Sequence, residues 1–237
     1  MKAAGRAAST TSAKSPSRRG AARPFILVLA GVNGAGKSSV GGAMLAGHGL
    51  DWFNPDAYAR VLVARLGLDT TAANSRAWHY GREQLQQALA RRTPFAFETT
   101  LGASTIPSLL AQAAATHDVQ MIFCGLASLE MHLARVRERV AHGGHDIPEA
   151  RIRERWDASR ANLIRLLPAL TRLQVYDNSA PAGPGGDIPD PVLVLETVRG
   201  RTLFPRADDA AALAATPAWA RPIVQAALSA GSGDGAG

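Results

Sequence analysis

Disulfides and membrane-spanning segments are the first features that this sequence lacks. Its 237 residues include a single cysteine, Cys124, which cannot form an internal disulfide. The longest uninterrupted apolar run covers residues 25–30, whereas a membrane-spanning helix requires roughly 20 apolar residues. These absences argue against a secreted disulfide scaffold and a membrane partner, and they predict a soluble, cytoplasmic protein.

Acidic residues are missing from the first 23 positions, which hold six basic ones: Lys2, Arg6, Lys14, Arg18, Arg19 and Arg23. The rest of the chain has 20 basic and 19 acidic residues, so most of the formal net charge of +7 belongs to this segment. Its alanine, serine and glycine content predicts a disordered basic arm over residues 1–23. We expect one folded domain over 24–229 and a flexible tail over 230–237. Apart from weak contact by the arm, the near-neutral body argues against a nucleic-acid partner.

Strand-like and helix-like segments alternate between residue 24 and about residue 180, which is typical of a parallel sheet with helices on both faces. The expected strands cover residues 25–30, 50–53, 94–97, 119–125 and 173–176. The expected helices cover 37–47, 55–66, 72–92, 104–116, 128–141 and 148–170, with a shorter one within 216–229. Residues 191–204 have the pattern of a hairpin with its turn at 199–201. The predicted class is α/β: a three-layer αβα P-loop kinase-like fold with a mostly parallel sheet, a helical lid and a C-terminal hairpin.

The stretch GVNGAGKSS, residues 31–39, follows the first expected strand and precedes a helix. It fits the phosphate-binding pattern G-x-x-x-x-G-K-[ST] in the structural context that the pattern needs. In such a loop, backbone N–H groups surround the phosphates, the lysine contacts the β- and γ-phosphates, and the serine hydroxyl ligates Mg²⁺. We therefore expect ATP and Mg²⁺ as cofactors, with Lys37 catalytic and Ser38 a metal ligand. The expected nucleotide-binding residues of the loop are Gly31, Val32, Asn33, Gly34, Ala35, Gly36, Lys37, Ser38 and Ser39.

Polar residues follow two of the expected strands, at the edge where parallel sheets bind ligands. Asn54, Pro55 and Asp56 come after residues 50–53, and they also fit a helix start with a capping asparagine. Glu98 ends the apolar run PFAFE, where an unpaired carboxylate is costly unless a metal, water or substrate donor satisfies it. Two carboxylates beside one phosphate loop suggest that one contacts an acceptor hydroxyl and the other holds the acceptor or a metal-bound water.

Arginines are concentrated in the two expected helices on either side of Gly143 and Gly144. At 100° per residue, Arg139 and Arg155 each lie at one edge of the apolar stripe of their own helix. We expect this pair to be catalytic, because guanidinium groups stabilise charge on a transferred phosphoryl group when a lid closes over the site. The alternative is a solvated helix pair held by ion pairs to glutamates of the same helices.

Five segments in this order resemble motifs of the zeta toxin family of P-loop kinases: LAGVNGAGKSS, NPDAYA, FETTL, RVRERVAHGGHDIPEARIRERW and VYDNS. The similarity covers about residues 24 to 205. It implies a phosphotransferase that resembles shikimate- and nucleotide-type small kinases. In the best-known branch the acceptor is a hydroxyl of UDP-N-acetylglucosamine, and a three-helix antitoxin in a separate chain blocks the site. A nucleotide sugar is therefore the candidate acceptor, and an antitoxin is a candidate protein partner.

The resemblance also implies roles for individual residues. Asp56 resembles the base toward the acceptor hydroxyl, and Glu98 with Thr100 resembles the clamp that binds the acceptor. Tyr176 and Asn178 of VYDNS resemble residues of the nucleotide pocket, and the arginine pair named above resembles the arginines of the lid. The sequence departs from the best-known branch at Thr99, where that branch has glycine, which leaves the acceptor open.

Functions of two other kinds remain as alternatives to the ATP-dependent small-molecule kinase. The first is a regulatory nucleotide-binding P-loop protein with slow or no hydrolysis that acts through a protein or nucleic-acid partner; its support in the sequence is the basic arm. The second is a polynucleotide 5′-kinase, which requires a basic channel in the folded body. The nearly balanced charge outside the arm argues against that channel.

Overall fold

A computed structural model describes residues 22–46, 50–144, 146–181, 183 and 189–231. Nearly all of the expected arm and most of the expected tail lie outside the described residues. Arg23, which the sequence analysis assigns to the arm, contacts the folded domain: its Nη2 donates to the carbonyl oxygens of Ala114 and His117 at 2.7 and 3.0 Å. The folded domain therefore includes Arg23.

A single six-stranded sheet forms the centre of the described domain. Its strands are β1 (Phe25–Ala30), β2 (Phe95–Thr99), β3 (Asp118–Gly125), β4 (Arg172–Asp177), β5 (Val192–Val198) and β6 (Arg201–Phe204). The spatial order is β2-β1-β3-β4-β5-β6. The first four strands are parallel, and β5 and β6 add an antiparallel hairpin at one edge. The mostly parallel sheet and the C-terminal hairpin match the prediction.

Eight α-helices surround this sheet in the described part of the chain. They are α1 (Lys37–Ala46), α2 (Pro55–Leu66), α3 (Thr70–Arg91), α4 (Thr105–Ala113), α5 (Leu129–Ala141), α6 (Glu149–Leu166), α7 (Ala210–Ala215) and α8 (Arg221–Gly231). A 3₁₀ turn, Leu167–Ala169, extends α6. None of the described helices is both long enough and apolar enough to cross a membrane.

The core consists of two apolar layers, one on each face of the sheet, because successive side chains of a strand point to opposite faces. In β1, Ile26 and Val28 pack in the larger cluster with residues of α3, α4, α6 and α8. Leu27 and Leu29 pack on the opposite face with residues of α1. This arrangement is the expected three-layer αβα architecture.

One expected strand is absent from the described sheet. Residues 50–53 form a single bridge, between Phe53 and Phe97 of β2. The backbone N–H of Phe53 donates to the carbonyl oxygen of Ala96 at 2.9 Å, and the carbonyl oxygen of Phe53 accepts from the backbone N–H of Glu98 at 2.9 Å. Pro55, which has no N–H and begins α2, prevents the pairing from continuing. The prediction of a strand over residues 50–53 was therefore wrong, although Phe53 still fixes the start of α2 beside the end of β2.

Candidate functional site

The loop between β1 and α1 is tightly wrapped because of its glycines. Gly31, Gly34 and Gly36 have φ values of 137°, 84° and 82°, which strongly favour glycine. A Cβ atom on Gly31 would lie 2.2 Å from the carbonyl oxygen of Cys124 in β3. The backbone at this position therefore leaves no room for a side chain. The loop has the wrapped backbone of a phosphate cradle at the N-terminus of α1.

Asn178, which follows β4, holds the loop from the side. Its Nδ2 donates to the carbonyl oxygen of Ala35 at 3.0 Å, and its backbone carbonyl oxygen accepts from Arg135 Nη2 at 2.8 Å. Tyr176 packs against the apolar cluster that includes Ala35 and Leu29, and partial burial raises its pKa. In this structure, the predicted nucleotide-pocket residues Tyr176 and Asn178 support the loop.

Lys37 is the first residue of α1, and its ammonium group is buried near two carboxylates. Its Nζ donates to the carbonyl oxygen of Val32 at 3.4 Å. Burial lowers the pKa of Lys37, while the negative charges of Glu98 and Asp56 partly oppose this change. The lysine and both predicted carboxylates therefore lie close enough to interact electrostatically.

Glu98 is 7% exposed and accepts three hydrogen bonds. Its Oε2 accepts from the Ser38 hydroxyl at 3.1 Å, and its Oε1 accepts from Trp52 Nε1 at 2.8 Å and from Asn54 Nδ2 at 3.1 Å. Asn54 also caps α2, because its Oδ1 accepts from the Ala57 N–H at 3.0 Å. Glu98 is thus fixed against the serine side of the loop, where its donors satisfy a buried carboxylate.

Asp56 lies in the first turn of α2, two residues after the capping asparagine. Its Oδ2 is 3.9 Å from Arg139 Nη1 of α5, and both side chains are partly exposed. The contact joins α2, which carries a predicted carboxylate, to α5, which carries a predicted lid arginine.

The second predicted arginine reaches the phosphate loop directly. Arg155 Nη1, from α6, donates to Asn33 Oδ1 at 2.8 Å. Burial is the largest cause that lowers the pKa of Arg155, and repulsion from the positive charge of Arg151 is the second. The carbonyl oxygen of Asn33 accepts from Nδ1 of His132, a fully buried α5 residue, at 2.8 Å. Asn33 is therefore bonded to both α5 and α6.

Ion pairs on the outer surface of the α5–α6 pair also match the alternative interpretation. Arg137 Nη2 of α5 lies 3.4 Å from Glu149 Oε2 of α6. Arg153 Nη2 lies 2.6 Å from Glu149 Oε1, and Arg151 Nη1 lies 3.1 Å from Glu154 Oε2. The helix pair thus has a solvated, ion-paired surface and also places arginines beside the loop.

A cavity of about 380 Å³ opens between the loop, α2, α3 and α6. It is lined by six of the predicted site residues: Asn33, Lys37, Asp56, Glu98, Thr100 and Arg155. The predicted residues that do not line it are Gly31, Val32, Gly34, Ala35, Gly36, Ser38, Ser39, Arg139, Tyr176 and Asn178. Ser38 and Arg139 are nevertheless in contact with lining residues. A cavity of this size, bordered by a lysine, three carboxylates and three arginines, has room for a small molecule.

Several residues that shape this site were not predicted from the sequence. Trp52 and His132 contact site residues that are 46 and 99 positions away along the chain. Trp78 and Arg82 of α3 line the cavity from a helix that no motif marks. In α3 the signal that could have been used is the four-residue spacing of polar and aromatic residues, which places them on one face of a helix.

A comparison with protein families gives a match to the model of the AAA domain (AAA_33) over residues 26–166. The chain belongs to the AAA domain family. The matched segment of this AAA domain protein runs from β1 to the end of α6, so it includes the phosphate loop, Asp56, Glu98 and both predicted lid arginines. No curated protein matches the sequence significantly.

Solved structures share the fold of this AAA domain protein at low sequence identity. A chain of the AvrRxo1-ORF1:-ORF2 complex with ATP is 17% identical with a TM-score of 0.58, covering 77% of this chain and 60% of its own length. The PezAT toxin–antitoxin system of Streptococcus pneumoniae gives 16% identity and a TM-score of 0.47, with coverage of 65% and 68%. A gluconokinase from Sinorhizobium meliloti 1021 is 20% identical with a TM-score of 0.40, and the match covers 67% of this chain and 85% of the gluconokinase. The AvrRxo1 chain therefore shares the overall fold, and the match spans less than two thirds of that chain's own length.

Proposed function

We propose that this protein is an ATP-dependent phosphotransferase that moves the γ-phosphoryl group to a hydroxyl of a small molecule. The observation that carries the proposal is that Lys37, Asp56, Glu98 and Arg155 line one cavity beside a phosphate loop. A phosphate-binding lysine, a carboxylate for the acceptor and a guanidinium for the transferred charge are the groups that phosphoryl transfer requires.

The loop and its neighbours suit ATP and Mg²⁺. The positive-φ glycines leave backbone space that a Cβ would fill, as a phosphate cradle requires. The Ser38 hydroxyl and the Glu98 carboxylate provide neighbouring oxygen atoms, which Mg²⁺ prefers as ligands. A Mg²⁺ ion held there would neutralise the charge that develops on the phosphates. In this proposal the Ser38 hydroxyl would hold the metal directly, and Glu98, which accepts from that hydroxyl, would orient it.

Asp56 is the base of the proposed reaction. Its carboxylate lines the cavity and is available to accept the proton of an acceptor hydroxyl as that hydroxyl attacks the γ-phosphorus. Arg155 lines the same cavity, and Arg139 contacts Asp56; in this proposal their charges stabilise the transferred group. Thr100 lines the cavity after β2 and supplies a hydroxyl for holding the acceptor.

The resemblance to the zeta toxin family makes UDP-N-acetylglucosamine the first acceptor to test. The same resemblance implies an antitoxin chain as a partner, and the AvrRxo1 neighbour is likewise a complex of two proteins. A panel of nucleotide sugars incubated with ATP and Mg²⁺, followed by mass spectrometry, would reveal the acceptor by the addition of one phosphoryl group.

The Asp56→Asn variant tests the proposed reaction. We expect acceptor-dependent ADP release to fall by roughly 10²- to 10⁴-fold, because the amide cannot accept the proton. ATP affinity should stay within about threefold, because the phosphate loop is unchanged. Asp51→Asn is the matched control, since Asp51 is an exposed acid near α2 that does not line the cavity. Normal turnover by Asp56→Asn, or equal losses in both variants, would refute the assigned base.

A further inference from the structure

One wall of the cavity comes from a face of α3 that the proposed chemistry does not use. Asn74, Trp78 and Arg82 line the cavity at intervals of four residues, which places them on one side of the helix. Trp78 is 38% exposed and lines the cavity, so it provides an aromatic surface there. This wall therefore combines a flat apolar surface with a positive charge.

Arg82 has an incomplete set of partners among the residues that the structure describes. Its guanidinium carbon lies 5.2 Å from the centre of the Trp78 ring, a cation–π contact. Its Nε is buried and has no hydrogen-bond partner there. A buried donor without an acceptor is unfavourable, whereas an anionic oxygen at this position would give a charge-assisted hydrogen bond.

The acidic residues of the cavity are already paired with other groups. Glu98 accepts from Ser38, Trp52 and Asn54, and Glu154 forms an ion pair with Arg151 at 3.1 Å.

The remaining cavity acid, Asp56, faces Arg139 of α5. None of the described ion pairs includes Arg82, so its charge is not balanced by a carboxylate in the described part of the chain. An anion brought by a ligand would balance it.

We infer that Arg82 and Trp78 form a subsite for an anionic group of the acceptor, a phosphate or a carboxylate, whose neighbouring carbon skeleton packs on the indole ring. The assignment of this ligand as the phosphoryl acceptor rests on the proposed function. The subsite makes the substrate class a hydroxyl compound that already carries a negative charge, and it favours such compounds over neutral analogues by about 10- to 100-fold.

Nuclear magnetic resonance tests this subsite without requiring catalysis. The full chain is saturated with ADP and Mg²⁺, so that the phosphate loop is filled. It is then titrated in two separate experiments, one with inorganic phosphate and one with acetate. We expect the Arg82 Nε–H and Trp78 indole N–H signals to shift in at least one titration, and the titration that gives the shift identifies the anion. In Arg82→Gln, the Trp78 shift should fall by at least 10-fold.

Arg76→Gln is the matched control, because Arg76 is an exposed arginine of the same helix that does not line the cavity. It removes the same charge and should leave the Trp78 shift unchanged. Absence of shifts in both titrations of the wild type, or an undiminished Trp78 shift in Arg82→Gln, would overturn the proposed subsite. If Arg82→Gln fails to fold, the wild-type Arg82 Nε–H signal decides alone. Failure of ADP to bind would instead count against the proposed function, and the anion titration without nucleotide would still report on Arg82.

Discussion

At the scale of single residues, Glu98 illustrates how a buried carboxylate is held beside a phosphate loop. One oxygen accepts from Ser38 and the other from both Trp52 and Asn54. A charge-assisted hydrogen bond of this kind contributes about 1.5–3 kcal/mol, and losing one loosens the carboxylate against the serine hydroxyl. Trp52 is therefore a positioning residue that acts through Glu98.

We expect Trp52→Phe to lower the turnover number for ADP release by about 10-fold and to raise the Mg²⁺ concentration needed for half-maximal activity. The phenyl ring keeps most of the packing, but the N–H donor to Glu98 is lost. Initial rates over a Mg²⁺ titration measure both effects. Trp219→Phe is the control: it also removes an indole N–H bond, to Asp177 at 3.3 Å, outside the cavity. Equal Mg²⁺ dependence in the two variants would exclude the positioning role.

At the scale of helices and strands, local sequence patterns predicted most of the fold. Asn54 and Pro55 marked the start of α2, and the apolar run over residues 25–30 marked β1 as the structure has it. Residues 50–53 have the composition of a strand, but the pairing there depends on distant Phe97 and ends at the proline. The short helix α7 was also missed. Local patterns marked Lys37, Asp56 and Glu98, whereas the contact of Trp52 with Glu98 depends on tertiary packing.

The stability of the domain should depend on pH through His132, a buried α5 residue that contacts the phosphate loop. Burial lowers the pKa of His132 to about 4, below its ordinary value near 6.5. The unfolded chain therefore binds more protons than the folded one as the pH falls through this range, so stability decreases toward acid. Between pH 7 and pH 5 this histidine alone should cost the folded state about 2 kcal/mol.

We expect His132→Asn to reduce the acid sensitivity of folding, because an amide can still donate to the Asn33 carbonyl but is not protonated. Urea unfolding at pH 7 and pH 5 measures the change in the free energy of unfolding. The wild type should lose about 2 kcal/mol more than the variant over this interval. His79→Asn, a change of an exposed histidine in α3, should behave as the wild type. The same pH dependence in His132→Asn and in the wild type would contradict this explanation.

At the scale of the whole molecule, positive charge is concentrated in one terminal segment. Residues 1–21 contain five basic residues and no acidic residue, while the remainder has 21 basic and 19 acidic residues. Arg23 belongs to the folded domain, where its Nε lies 3.7 Å from Asp118 Oδ1. Any attraction of the protein to nucleic acid should therefore depend on residues 1–21 and be separable from the cavity.

Deletion of residues 1–21 tests this separation. We expect the full chain to bind single-stranded DNA weakly, with affinity falling about 100-fold between 50 and 200 mM salt, because about five phosphate contacts release counterions. The deletion should abolish this binding and leave acceptor-dependent ADP release within about twofold. A full-length variant with glutamine at the five basic positions, Lys2, Arg6, Lys14, Arg18 and Arg19, separates the effect of charge from that of chain length. Fluorescence anisotropy and initial rates measure the two properties.

Salt-dependent binding that survives the deletion would place the nucleic-acid contact on the folded domain. Loss of ADP release on deletion of residues 1–21 would favour a regulatory P-loop protein over the proposed kinase.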